Sequence, residues 1–148
     1  STLIKENIYS EELEDIAKEF VGRIVYLVSI ARLTPFSPQL KAAIEEAKYN
    51  NATIIILSII EEKNIKFQEE LLKFVQRKSP ELGIKLPVII SKVTSQASIA
   101  SSEIAMTLAL CANIFKAKCI FLGNPEKYPE LPKLIRYYDP EIVIKVII

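Results

Sequence analysis

Residues 23–30 read RIVYLVSI, and residues 53–60 read TIIILSII. Both are near-continuous apolar runs rich in β-branched residues. A strand with one wet face alternates apolar and polar side chains. A strand apolar throughout has both faces covered, which is the situation inside a parallel sheet. The segment between the two runs reads as the crossover. Pro35 lies in residues 31–37, and Ser37 followed by Pro38 is a helix start, a cap and then proline at the first helical position. Leu40, Ala43, Ile44 and Ala47 then recur at helical spacing, until Asn50-Asn51 ends the helix.

The same alternation continues outward. Residues 65–78 read as a helix, with Phe67, Leu71, Phe74 and Val75 on one side. A third strand is expected over 88–93. Residues 98–117 form a long helix with Ile104, Leu108, Cys111 and Phe115 aligned, and a short strand over 119–122 ends at Gly123. A proline-rich stretch over 124–139 holds about two helical turns around Leu131, Leu134 and Ile135, on the 3.6-residue period. The last stretch, EIVIKVII, from Glu141 to Ile148, is the fifth strand. At the other end, residues 10–20 read as an amphipathic helix capped by Ser10 and broken by Gly22. Strands alternating with helices predict an α/β fold with right-handed crossovers. The expected architecture is a Rossmann-like three-layer sandwich of the HUP type, with a five-stranded parallel sheet in the order 3-2-1-4-5. Residues 1–21 form an N-terminal helical extension, and residues 22–148 form the α/β domain.

A chain of 148 residues suits one domain. Net charge is +1, too weak a field to predict nucleic acid or an anionic membrane surface as partner. No apolar run is long enough to span a bilayer, and the N-terminus lacks the layout of a secretory signal. The two cysteines, Cys111 and Cys119, stand apart and there is no histidine, so no metal set is expected. They read as buried thiols of a soluble cytoplasmic protein. The Lys- and Glu-rich surface hints at a thermophile. Opening on Ser1, the chain reads as a trimmed or excised fragment.

Several chemistries are excluded by composition. The three glycines, Gly22, Gly83 and Gly123, are too far apart for a phosphate-binding loop, so GxGxxG and GxxxxGK[ST] are absent. The only aspartates, Asp15 and Asp139, fall away from the carboxyl ends of the expected strands. Without histidine there is no Ser-His-Asp triad, and GxSxG is missing. The reading is therefore a non-catalytic domain.

Ligands of open α/β sheets sit outside the carboxyl ends of the strands, where strand order reverses. In the expected order that point lies between the first and fourth strands. Its candidate lining is Arg32, Thr34 and Ser37 from the first loop, Thr94, Ser95 and Ser98 before the long helix, and Gly123 with Asn124 after the fourth strand. Arg32 offers a fork for a phosphate or carboxylate, and a helix start with hydroxyls offers an anion site. The plainer alternatives are a solvated arginine, helix capping at Thr94–Ser98 and a simple turn at Gly123-Asn124.

Taken together, RIVYLVSI, SPQLKAAIEEAKYNNATIIILSII and KLPVIISKVTSQASIASSEIAMTLALCANIFKAKCIFLG resemble the universal stress protein family over residues 22–148. The resemblance implies the fold, a dimer and, in members that bind nucleotide, ATP or AMP as ligand. Those members carry an Asp at the end of the first strand, where this chain has Ser29-Ile30-Ala31-Arg32. They also carry GxxG and a later G[S/T] after the fourth strand, where this chain keeps only Gly123. The resemblance thus implies a regulatory or ligand-sensing domain with a degenerate nucleotide site. The alternatives are a true ATP or AMP binder, a cytosolic regulatory or interaction domain of a membrane transporter, and a sensor of cyclic oligonucleotides. The final strand is apolar on both faces yet expected at a sheet edge, which predicts a homodimer through Glu141–Ile148.

Overall fold

The computed structural model describes residues 3–5, 10–30, 37–61, 88–94, 100–123 and 128–148, together with Lys66, Glu69, Glu70, residues 73–75 and Arg77. Among the described residues six strands form one sheet: β1 (Leu3–Lys5), β2 (Val25–Ile30), β3 (Thr53–Glu61), β4 (Val88–Thr94), β5 (Cys119–Gly123) and β6 (Val143–Ile147). The helices are α1 (Ser10–Ala17), continued by a 3₁₀ turn over Lys18–Phe20, then α2 (Pro38–Asn50), α3 (Ser101–Phe115) and α4 (Leu131–Tyr138). The described residues between 66 and 77 are helical as well.

Every strand pair is parallel, and the order across the sheet is β1-β4-β3-β2-β5-β6. The expectation of five strands is corrected: the sixth is β1, which pairs Leu3 with Val88 and Lys5 with Ile90 at the edge beyond β4. The segment 1–21 was expected to be helical alone, and it supplies this strand as well as α1. Three residues are too few for any periodicity to register in sequence.

The apolar runs behave as two-sided strands. On one face Leu27, Ile55, Leu57, Ile120 and Leu122 pack under α1, α3 and α4, with Leu13, Phe20, Ile104, Leu108, Phe115 and Ile135 in the same core. On the other face Tyr26, Val28, Ile30, Ile54, Ile56 and Phe121 pack under Leu40, Ala43, Ile44 and Ala47 of α2, joined by Val75. Successive residues of one strand therefore feed two cores, so a polar residue in such a strand is buried whichever face it takes. The free thiols fall into different cores, Cys111 with α3 and Cys119 with α2.

Local signals set the ends of the helices. Pro38 opens α2. Asn51 closes it in the left-handed conformation at φ 52°, which asparagine tolerates better than most residues. Lys116 plays the same part after α3, at φ 52°. Among the described residues no helix is long and apolar enough to cross a membrane.

Candidate functional site

The chain path creates a switch point. From β2, α2 leads to β3 on one side, and from β4, α3 leads across the opposite face to β5 on the other side. β2 and β5 are thus neighbours whose connections diverge, and their carboxyl ends, at Ile30 and Gly123, flank the position where such sheets take ligands.

The side chain found there is Gln39, at the start of α2. Its amide Nε2 donates to the backbone carbonyl of Ser29 at 3.0 Å. Its Oε1 lies against Gly123: a Cβ placed on that glycine would sit 2.2 Å from Oε1 and 2.6 Å from Cδ. Gly123 has no left-handed φ, so glycine is required for close approach and not for backbone conformation. Gln39 is only 7% exposed. One carboxamide therefore bridges the ends of β2 and β5.

Gln39 was missed in the sequence because it reads as one polar residue in a helix start. A signal was present: positions 39, 43 and 47 are spaced by four, so Gln39 lies on the stripe of Ala43 and Ala47, which faces the sheet.

Of the sequence candidates, Gly123 meets the Gln39 side chain, and Ser37 precedes Gln39 by two residues at the start of α2. Ser37 is the N-cap of α2 with Pro38 after it, as the sequence predicts, although its hydroxyl makes no capping bond. The first turn is closed by its carbonyl instead, which accepts from the N–H groups of Leu40 at 3.1 Å and Lys41 at 3.2 Å. Its Oγ is buried without a hydrogen-bond partner among the described residues. Thr94 is the last residue of β4, paired in register with Glu61 at the end of β3 and separated from β2 by that strand. Arg32, Thr34, Ser95, Ser98 and Asn124 lie outside the described residues. The residue that caps α3 is Ala100, which has no side-chain oxygen, so none of the hydroxyls named before that helix is its N-cap.

Two further polar features lie on the α2 side of the sheet. Ser58 is wholly buried in β3, and its Oγ has no hydrogen-bond partner among the described residues. Lys145 of β6 reaches Glu46 of α2, Nζ to Oε1 at 2.5 Å, with Nζ 5.4 Å from the centre of the Phe121 ring. The hydrogen bond to Glu46 raises the Lys145 pKa above its ordinary 10.5. Asn50 donates to the Tyr26 hydroxyl at 2.9 Å, tying the end of α2 to β2. The thiols are held neutral by burial, Cys111 pushed up to about 12 and Cys119 to about 11, so neither is a nucleophile near neutral pH.

No protein-family model matches the sequence, and no curated protein matches it either. Solved structures do. A protein of the universal stress protein family from Burkholderia pseudomallei superposes with TM-score 0.59 at 16% identity, covering 83% of this chain and 94% of that one. A universal stress protein in complex with cAMP gives TM-score 0.59 at 14% identity over 84% of this chain and 96% of that one. The universal stress protein from Archaeoglobus fulgidus in complex with dAMP gives 0.55 at 11% identity over 84% and 98%. Identities this low speak for the fold and not for conserved ligands. With its parallel sheet, its α layers on both faces and its switch point between β2 and β5, this chain has the universal stress protein fold.

Proposed function

We propose that the chain is a non-catalytic regulatory or ligand-sensing domain of universal stress type whose nucleotide crevice is degenerate. The observation that carries this reading is Gln39, lying across the carboxyl ends of β2 and β5 in contact with Gly123. The chain also keeps one glycine where a backbone cradle for phosphates needs several. A domain of this kind acts through the surfaces it presents. Its partners are a second copy, along β6, and a regulatory target such as a transporter.

A second reading, a true binder of AMP or ATP, is favoured by one observation. Two structures of this fold hold cAMP and dAMP.

Native mass spectrometry of the freshly purified protein, followed by melting curves with ATP, AMP, cAMP and dAMP, separates the two readings. A ligand present at 100 times its dissociation constant adds about 2.7 kcal/mol, well within reach of a melting curve. No adduct and no shift is the expected result. An adduct, or a shift with any of the four, replaces the first reading with the second.

A further inference from the structure

By its sequence α3 reads as a buried helix. Its 15 residues, SSEIAMTLALCANIF, include one charged side chain, Glu103. A helix on the outside of a layered fold keeps charges on its outer face, and one that is apolar all round is covered. Yet one side of α3 is open. Ser102, Met106, Leu110 and Asn113 follow one another at helical spacing, and all four are exposed. α3 packs between α1, which leads into β2, and α4, which leads from β5 to β6. Phe20, after α1, meets Phe115 edge to face with ring centres 5.9 Å apart, and Ser101 donates to Glu130 at 2.9 Å beside the start of α4. Between α3 and the end of α4 lies an open hollow of about 360 Å³, lined by Met106, Ala109, Leu110, Asn113, Tyr138 and Asp139. That is at the small end for a ligand cavity. Open to solvent, it suits the side chains of a partner better than an enclosed small molecule.

The ridges beside this apolar furrow have opposite sign. α1 exposes Glu11, Glu12, Glu14 and Asp15 and holds no basic residue. Lys18, in the 3₁₀ turn beyond it, pairs with Asp15. α4 exposes Lys133 and Arg136 and holds no acidic residue. An anionic surface would gain from α4 and be repelled by α1. We propose that this face docks an amphipathic helix of the regulatory target, its apolar stripe on Met106, Leu110 and Tyr138, its basic flank against α1 and its acidic flank against α4. The inference rests on the regulatory reading and names the chemistry of the partner. Such a helix lying in a groove is a recurrent mode of recognition. The exposed parts of Met106, Leu110, Tyr137 and Tyr138 come to roughly 400 Å². Patches of that order mark interaction sites, but a stable complex buries about 800 Å² on each partner, so one helix fits this face better than a second copy of the chain. Asp139, the one charge in the lining, accepts a basic residue or the N–H groups of the partner helix's first turn.

The probes are three synthetic helical peptides of about 15 residues, the length of α3. They share one leucine stripe and differ in their flanks: one basic and one acidic, both basic, or both acidic. Whichever flank is the basic one, the mixed peptide has one chain direction that matches both ridges. Fluorescence anisotropy with the whole chain reads binding. The mixed peptide should bind at least about tenfold tighter than either single-sign peptide at low salt, with the advantage shrinking in about 1 M salt. Met106→Lys and Leu110→Lys should each weaken it at least about tenfold. A Lys133→Glu, Arg136→Glu variant should transfer the preference to the all-basic peptide. Circular dichroism first establishes that each variant is folded, and Met106, 51% exposed, is the position least able to unfold the chain. Equal binding of all three peptides overturns the charged flanks. Binding that neither furrow variant weakens overturns the furrow. Silence of all three overturns the helix as occupant and leaves the degenerate-site reading to the nucleotide melting curves. Self-association in light scattering that Met106→Lys abolishes and a Val143→Lys, Val146→Lys variant leaves intact makes this face an interface between copies, and overturns the helix as well.

Discussion

Replacing Gly123 with alanine perturbs one contact of known geometry. The new methyl lies 2.2 Å from Gln39 Oε1, 2.6 Å from Cδ and 3.0 Å from Nε2. Ordinary contact for such atoms is about 3.5 Å or more, so the amide must retreat by over an ångström. Its bond to the Ser29 carbonyl starts at 3.0 Å and cannot survive that retreat. The lost bond is worth about 0.5–1.5 kcal/mol, and an acceptor left buried adds about 1–3 kcal/mol at most. Backbone strain adds nothing, because φ at 123 lies outside the left-handed region. The expected cost is therefore about 1–3 kcal/mol, a fall in Tm of roughly 2–4 °C for each kcal/mol. In a Gln39→Ala background the methyl meets no amide, and Gly123→Ala becomes neutral or slightly stabilising through the unfolded chain. Urea unfolding of the wild type, both single variants and the double variant closes a cycle with an expected coupling of about 1–2 kcal/mol. Costs that add within about 0.5 kcal/mol refute the reasoning, since Gln39 and Gly123 would then be energetically independent.

Other substitutions test other parts of the structure. Ser58→Ala removes a buried hydroxyl that has no partner, so it should leave stability unchanged or raise it by up to about 1 kcal/mol in urea unfolding; a clear loss would reveal a partner for that hydroxyl. Glu46→Gln removes a partly exposed ion pair and should cost about 0.2–1 kcal/mol. Because Lys145 titrates above 10.5 in the folded protein, its part of that contribution fades as pH climbs through the raised value, so wild-type and variant urea midpoints should converge on the alkaline side. Both thiols should resist a disulfide reagent at pH 8 in the folded protein and react at once in denaturant. Since they ionise near 9.0 when unfolded and only at about 12 and about 11 when folded, stability should fall as pH rises above 9. Val143 and Val146 are 53% and 39% exposed on β6, so a Val143→Lys, Val146→Lys variant should turn the proposed dimer into a monomer in light scattering; an unchanged mass places the dimer contact elsewhere.

Sequence alone determined the class of fold, because burial on both faces leaves a mark in composition. Runs such as TIIILSII have no alternating polar face to offer water, and helices with apolar stripes between them leave a layered α/β sheet as the arrangement that buries both. It also named Gly123 among the candidates at the carboxyl ends of the strands, and Gly123 ends β5. Three things were decided by the tertiary structure. Leu3–Lys5 is a strand only because the edge of β4 offers it backbone partners, and backbone hydrogen bonding has no sequence code. Ser37 looks like a cap but leaves its hydroxyl unpaired, because the turn is closed through its carbonyl. Gln39 and Gly123 are 84 positions apart in the chain, and nothing local to either announces the other. Their contact exists because α2 begins above the junction of β2 and β5, where the fold brings a long amide and a missing side chain to the same point in space.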